Sequence, residues 1–162
     1  MDFVDIDPLT YNLSTECLEK KLIQAKQDNK LPKIVIPVHF AGQSCDMAGI
    51  QALAQEYGFL VLEDASHAIG GKYKSQPIGN CRYSDITVFS FHPVKHITMG
   101  EGGMITTNSE SLMVKARILR SHGGDGRIGL YPASNDRMTE ISAILGIYQL
   151  KHLEKFIEKR NY

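Results

Sequence analysis

Lys95 lies in the stretch "VFSFHPVKHITMGEGGMITT", between two apolar runs, and Asp64 closes a third such run, "FLVLED". A lysine amine held near buried apolar residues loses part of its preference for the charged form, because desolvation penalises the ammonium. The deprotonated amine attacks carbonyls and forms Schiff bases. An aspartate in the same pocket can keep a pyridinium nitrogen protonated, the arrangement that lets the ring of pyridoxal phosphate draw electrons from a bound substrate. Plainer roles exist for each residue: Asp64 as a helix cap, His67 as a hydrogen-bonded interior histidine, Lys95 as a solvated loop lysine. Their chemistry depends on the elements that bring them together.

Those elements read as alternating strands and helices. Leu18, Leu22 and Ile23 form one apolar helical face, and Ile34 to Val38 reads as a buried strand in which Pro37 marks a strand end or a bulge. A helix is expected from about Asp46 to Tyr57, with Gly58 at its C-cap, followed by a strand through Phe59 to Leu62 ending in Glu63 and Asp64. Ile86 to Phe91 and Met104 to Thr107 are further strands; Ser109 opens a helix to Ser121, and Met138 to about Lys159 reads as one long amphipathic helix. A Gly-rich loop, His122 to Asn135, separates the last two helices. The predicted class is α/β, a three-layer arrangement of a mainly parallel sheet with helices on both faces. In such sheets ligands bind beyond the carboxyl ends of the strands. Three polar clusters fall there: His39 to Gln43, Asp64 to His67, and Ser90 to Lys95.

Composition narrows the partners. The 162 residues carry 18 basic and 18 acidic side chains, so no single-sign field selects nucleic acid or an anionic membrane, and 43% hydrophobic content supplies one ordinary core. Three cysteines, Cys17, Cys45 and Cys81, lack metal-finger spacing, and no long apolar run or leader pattern appears. Free thiols in a cytoplasmic protein are the expectation.

The ordered motifs "FVDIDPLTYNL", "PVHFAGQSCDM", "EDASHAIGG", "SFHPVKHITMGEGG" and "NDRMTEISAILGIYQL" together resemble the DegT/DnrJ/StrS nucleotide-sugar aminotransferases. That family consists of fold type I pyridoxal-phosphate enzymes, usually homodimers. The resemblance implies that Lys95 bonds the cofactor and that Asp64 partners its ring nitrogen. It places His67 beside the ring oxygen, Ser90 on the phosphate, and Asn135 on the phosphate of the neighbouring subunit. Gln43 falls in the substrate vicinity. It further implies an amino-acid donor, L-glutamate, and a nucleotide-linked keto-sugar acceptor. Within the family the motifs look closest to the pseudaminic-acid pathway 4-aminotransferases acting on UDP-4-keto-6-deoxy-N-acetylhexosamines, although Asp136 stands where those usually carry tyrosine. By the same resemblance, residues 1–162 correspond to part of the cofactor-binding large domain, without its N-terminal phosphate-binding segment or the C-terminal small domain.

Three other readings compete. A nicotinamide-binding domain shares the alternation of elements, but no Gly-x-Gly-x-x-Gly follows the first strand. His39, Asp64, His67 and His92 could recruit a metal, yet their spacing matches no ligand signature, and the expectation is no metal. A non-catalytic relative or an inactive fragment on the same fold, binding sugar nucleotides or a regulatory partner, is the remaining alternative.

Overall fold

The computed structural model describes residues 1–124, 129 and 131–161. Helix α1 (Thr15–Gln27) starts at Ser14, whose hydroxyl accepts from the Cys17 N–H at 3.2 Å. Leu18 and Leu22, one turn apart, are buried, whereas Ile23, expected on the same face, is 47% exposed. Two short elements follow, strand β1 (Ile34–Val35) and a 3-10 turn at Phe40–Gly42. Helix α2 (Met47–Tyr57) is capped by Asp46 and ends at Gly58, whose φ of 77° places it in the left-handed region. Strand β2 (Leu60–Asp64), the hairpin β3 (Lys72–Tyr73) and β4 (Gln76–Pro77), and strands β5 (Ile86–Ser90) and β6 (Gly103–Thr106) complete the extended structure.

The main sheet runs β1-β2-β5-β6. β1, β2 and β5 are parallel, and β6 returns antiparallel to β5. The class is therefore the mixed α/β expected, with a mainly parallel sheet. β1 is shorter than the five residues predicted, because Pro37 has no N–H for the ladder. Pairing resumes beyond it as a single bridge between Val38 and Asp64. Val35, paired with Val61, faces α1 and α2, and the core gathers there with Leu18, Leu22, Met47, Ile50, Leu53 and Phe59. On the other face of the sheet, Ile34 and its partner Leu60 are about half exposed.

Ser109 caps helix α3 (Glu110–Arg120) as anticipated. The predicted single helix from Met138 is instead two, α4 (Glu140–Leu150) and α5 (Leu153–Arg160), with Thr139 as the first cap. The break at Lys151 and His152 contains neither glycine nor proline, so nothing local announced it. Its effect is tertiary: Leu153 and Phe156 of α5 pack onto Phe91, Ile97 and Met99. The ends of the Gly-rich loop are tied together by a bridge between Ser121 and Asn135 and by the His122 N–H donating to Ser134. Residues 125–128 and 130 of that loop lie outside the described residues.

Candidate active site

Asp64 is the last residue of β2 and sits opposite Val88 of β5. Because side chains alternate along a strand, Asp64, Val88 and Ser90 share one face, the face that α1 and α2 leave open. The Asp64 backbone is held on both sides. Its N–H donates to Pro37 O at 2.9 Å, its carbonyl accepts from the His39 N–H at 3.0 Å, and the next N–H, of Ala65, donates to Val88 O at 2.9 Å. Asp64 Oδ1 accepts from the Ser66 N–H at 3.0 Å. Among the described residues Oδ2 takes no hydrogen bond, so one oxygen of a half-buried carboxylate is free for a ligand N–H.

Lys95 lies on the turn that leaves β5. Its N–H donates to His92 O at 3.0 Å, and Met99 N–H returns to Phe91 O at 3.1 Å. Phe91, Ile97 and Met99 are buried and anchor this turn, while Lys95 itself is only partly covered. Its amine forms no ion pair among the described residues. Burial lowers the pKa of the neighbouring His96, and the charges of Arg160, His67 and Lys95 lower it further. These basic groups thus cluster at one end of the sheet. His67 is exposed, and its ring meets Phe40 edge-on with centroids 6.5 Å apart.

The loop bearing Gln43 is bent hard against the His67 turn. Ala41 and Gly42 both have positive φ, 52° and 89°, and a Cβ on Gly42 would lie 2.9 Å from the His67 carbonyl oxygen. Asn12, 3% exposed, clasps this loop at both ends: its amide donates to Gln43 O at 3.0 Å and its Oδ1 accepts from the Phe40 N–H at 2.9 Å. Gln43 is exposed.

The edge thus brings together Asp64, His67, Ser90 and Lys95, with Gln43 on an adjoining loop. Asn135 is exposed, pairs with Ser121, and its Oδ1 accepts from Arg137 Nε at 2.9 Å. His39 is fully buried on the other face of β2, hydrogen-bonded to Glu63 at 2.7 Å, which removes it from any cluster with Asp64. His92 lies 3.8 Å from Glu101. Among the described residues no group of three or more His, Cys, Asp or Glu side chains is arranged to hold a metal. Among the described residues no helix is long and apolar enough to cross a membrane. Burial pushes the Cys45 thiol up to about 11, so it packs as a small apolar residue.

Sequence reasoning missed Asn12, Glu63 and Thr87. An asparagine in "LTYNLS" carries no periodic signal, and the partners of Glu63 lie 24 residues away on each side.

The residues present suit pyridoxal phosphate: a free carboxylate oxygen for a ring N–H, an unpaired amine, a hydroxyl at a strand end, and an imidazole beside an aromatic ring. GDP-perosamine synthase of Caulobacter vibrioides is 41% identical, over 97% of this chain and 41% of its own length. The solved structure of Helicobacter pylori PseC, an aminotransferase involved in the biosynthesis of pseudoaminic acid, superposes with a TM-score of 0.84 at 33% identity, covering 95% of this chain and 40% of that one. The pyridoxal-phosphate form of a putative sugar aminotransferase from Streptococcus pneumoniae gives a TM-score of 0.76 at 29% identity, covering 94% and 43%. The chain spans about two fifths of the length of the curated relatives it matches. With residues 2–162 matching the model of one family, the chain belongs to the DegT/DnrJ/EryC1/StrS aminotransferase family.

Proposed function

We propose that this chain forms part of the cofactor-binding large domain of a pyridoxal-phosphate-dependent enzyme that transfers an amino group from L-glutamate to a nucleotide-linked keto-sugar. The observation that carries this reading is the placement of the Lys95 turn and the free Asp64 oxygen at one edge of the sheet. When bound, the cofactor supplies a carbonyl for amines and a ring that stabilises negative charge on the substrate carbon.

The roles of the side chains follow from their chemistry. Asp64 would accept the ring N–H through Oδ2, and the carboxylate charge would hold that proton in place. The Ser90 hydroxyl would donate to the phosphate, and His67 would stand beside the ring oxygen. The Lys95 amine would hold the cofactor and, when free, would move a proton at the donor α-carbon as general base and acid. Gln43, on the clasped loop, faces the acceptor. Asn135 would reach the phosphate held by a second subunit, which would make the working unit a homodimer.

Borohydride reduction of the full-length protein loaded with pyridoxal phosphate tests the assignment. Peptide mass spectrometry is expected to locate the adduct on Lys95. An adduct on Lys72 or Lys115 would defeat it.

A further inference from the structure

On the buried side of β2, directly behind Asp64, three strand ends meet in one polar knot. Glu63 is 5% exposed and His39 and Thr87 are fully buried. Glu63 Oε2 lies 2.7 Å from His39 Nε2, and Glu63 Oε1 accepts from Thr87 Oγ1 at 3.0 Å and from the Ser84 hydroxyl. The Cys45 N–H donates to His39 Nδ1 at 3.2 Å, so Nδ1 presents a lone pair and Nε2 carries the proton given to Glu63. One histidine therefore bonds Glu63 through its ring, Asp64 through its backbone N–H, and the loop bearing Gln43 through Cys45.

A buried carboxylate with fewer partners would be costly, and an apolar knot of the same size would stabilise the core at least as well. The bonds contribute something an apolar knot does not, which is registry. His39 follows β1, Glu63 belongs to β2 and Thr87 to β5, so the knot sets the relative height of three strands whose ends carry the Gln43 loop, Asp64 and Ser90.

We infer that the His39–Glu63–Thr87 knot is a positioning device for Asp64, holding its free oxygen where it meets the cofactor ring nitrogen. This rests on the function proposed above. Catalytic groups must be held to within about 0.5 Å of their working geometry, and neighbours that hold a supporting backbone set that tolerance.

The test uses the full-length protein loaded with pyridoxal phosphate labelled with 15N in the ring, and reads the ring-nitrogen resonance by NMR. Asp64→Asn marks the position expected when the ring proton loses its anionic partner. Glu63→Met removes all three bonds at similar volume. Its resonance is expected to move toward the Asp64→Asn position, with kcat falling roughly ten- to a hundredfold, the usual cost of a lost supporting partner, and KM little changed. Glu63→Gln keeps an acceptor for His39, and the Ser84 and Thr87 hydroxyls can reverse, so it is expected to stay near wild type.

A Glu63→Met protein that binds cofactor with an unmoved resonance and only a lower melting temperature overturns the inference, as does an equal displacement in Glu63→Gln. If Glu63→Met does not fold, Thr87→Val, which deletes one of the three bonds to Glu63, decides: a smaller shift in the same direction supports the inference and no shift overturns it. Wild-type protein that binds no pyridoxal phosphate overturns the functional reading and this inference together. A normal wild-type signal with unmoved variants overturns this inference alone.

Discussion

Asp64 and Glu63 are adjacent carboxylates with opposite environments, because alternation along β2 sends one to the open face and the other into the core. Asp64→Asn keeps the shape and the Ser66 contact but loses the charge that holds a ring proton. Turnover in the full-length protein is expected to drop roughly a hundred- to a thousandfold, the scale seen when one charge-stabilising group is lost. Steady-state kinetics on cofactor-loaded protein reads this, and near-normal turnover removes Asp64 from the role.

Glu63 makes a prediction about stability. Burial raises its pKa, but hydrogen bonds from His39, Ser84 and Thr87 outweigh that and leave it below the ordinary value of 4.5. A carboxyl whose folded pKa is depressed contributes stability above its unfolded pKa, and that contribution is lost as pH falls through the folded one. Denaturant midpoints should therefore fall with acidification below about pH 4.5, and the fall should be shallower in Glu63→Gln. Equal slopes for the two proteins would show that Glu63 does not govern acid sensitivity.

At the scale of the element, two glycines with positive φ separate backbone strain from steric conflict. A Cβ on Gly58, after α2, meets nothing within 4 Å, so Gly58→Ala costs only the left-handed conformation, about 1 kcal/mol. Gly42→Ala adds a contact of 2.9 Å with the His67 carbonyl, and is expected to cost more, roughly 2–3 kcal/mol. It should also weaken cofactor binding, since the His67 turn must shift to admit the methyl. Urea unfolding with a parallel cofactor titration distinguishes the two. Similar costs at both positions would mean that the loop relaxes without disturbing His67. The rest of the elements were largely legible in the sequence, because apolar periodicity and caps such as Ser109, Asp46 and Gly58 act within a few residues. The break between α4 and α5 was not, since no glycine or proline marks it and the packing of Leu153 and Phe156 that accompanies it is tertiary.

For the whole molecule, exposed apolar side chains concentrate in two places. Ile34, Ile36, Val38 and Leu60 lie on β1, its continuation and β2, and Ile141, Ile144, Ile147 and Tyr148 lie on α4, all at least 43% exposed. Contiguous apolar surface of this kind drives association. The 162-residue chain alone is expected to self-associate in size-exclusion chromatography and to bind pyridoxal phosphate weakly, whereas protein of the relatives' length is expected to elute as a dimer. A monodisperse 162-residue monomer that binds the cofactor tightly would contradict this.

The amino-acid sequence by itself determined the α/β class, the main strands and helices apart from the β3–β4 hairpin and the split of the last helix, the strand-end positions of Asp64 and Ser90, and Lys95 on the turn beyond. Each of these follows from local periodicity, capping and the rule that places loops beyond strand ends. Tertiary structure alone decided that Glu63 faces His39 and Thr87, that Asn12 clasps the loop of Gln43, and that α5 turns to cover the Lys95 turn. Those contacts join residues far apart in the chain, and for Glu63 it is the parallel pairing of β1, β2 and β5 that brings His39 and Thr87 within hydrogen-bonding reach.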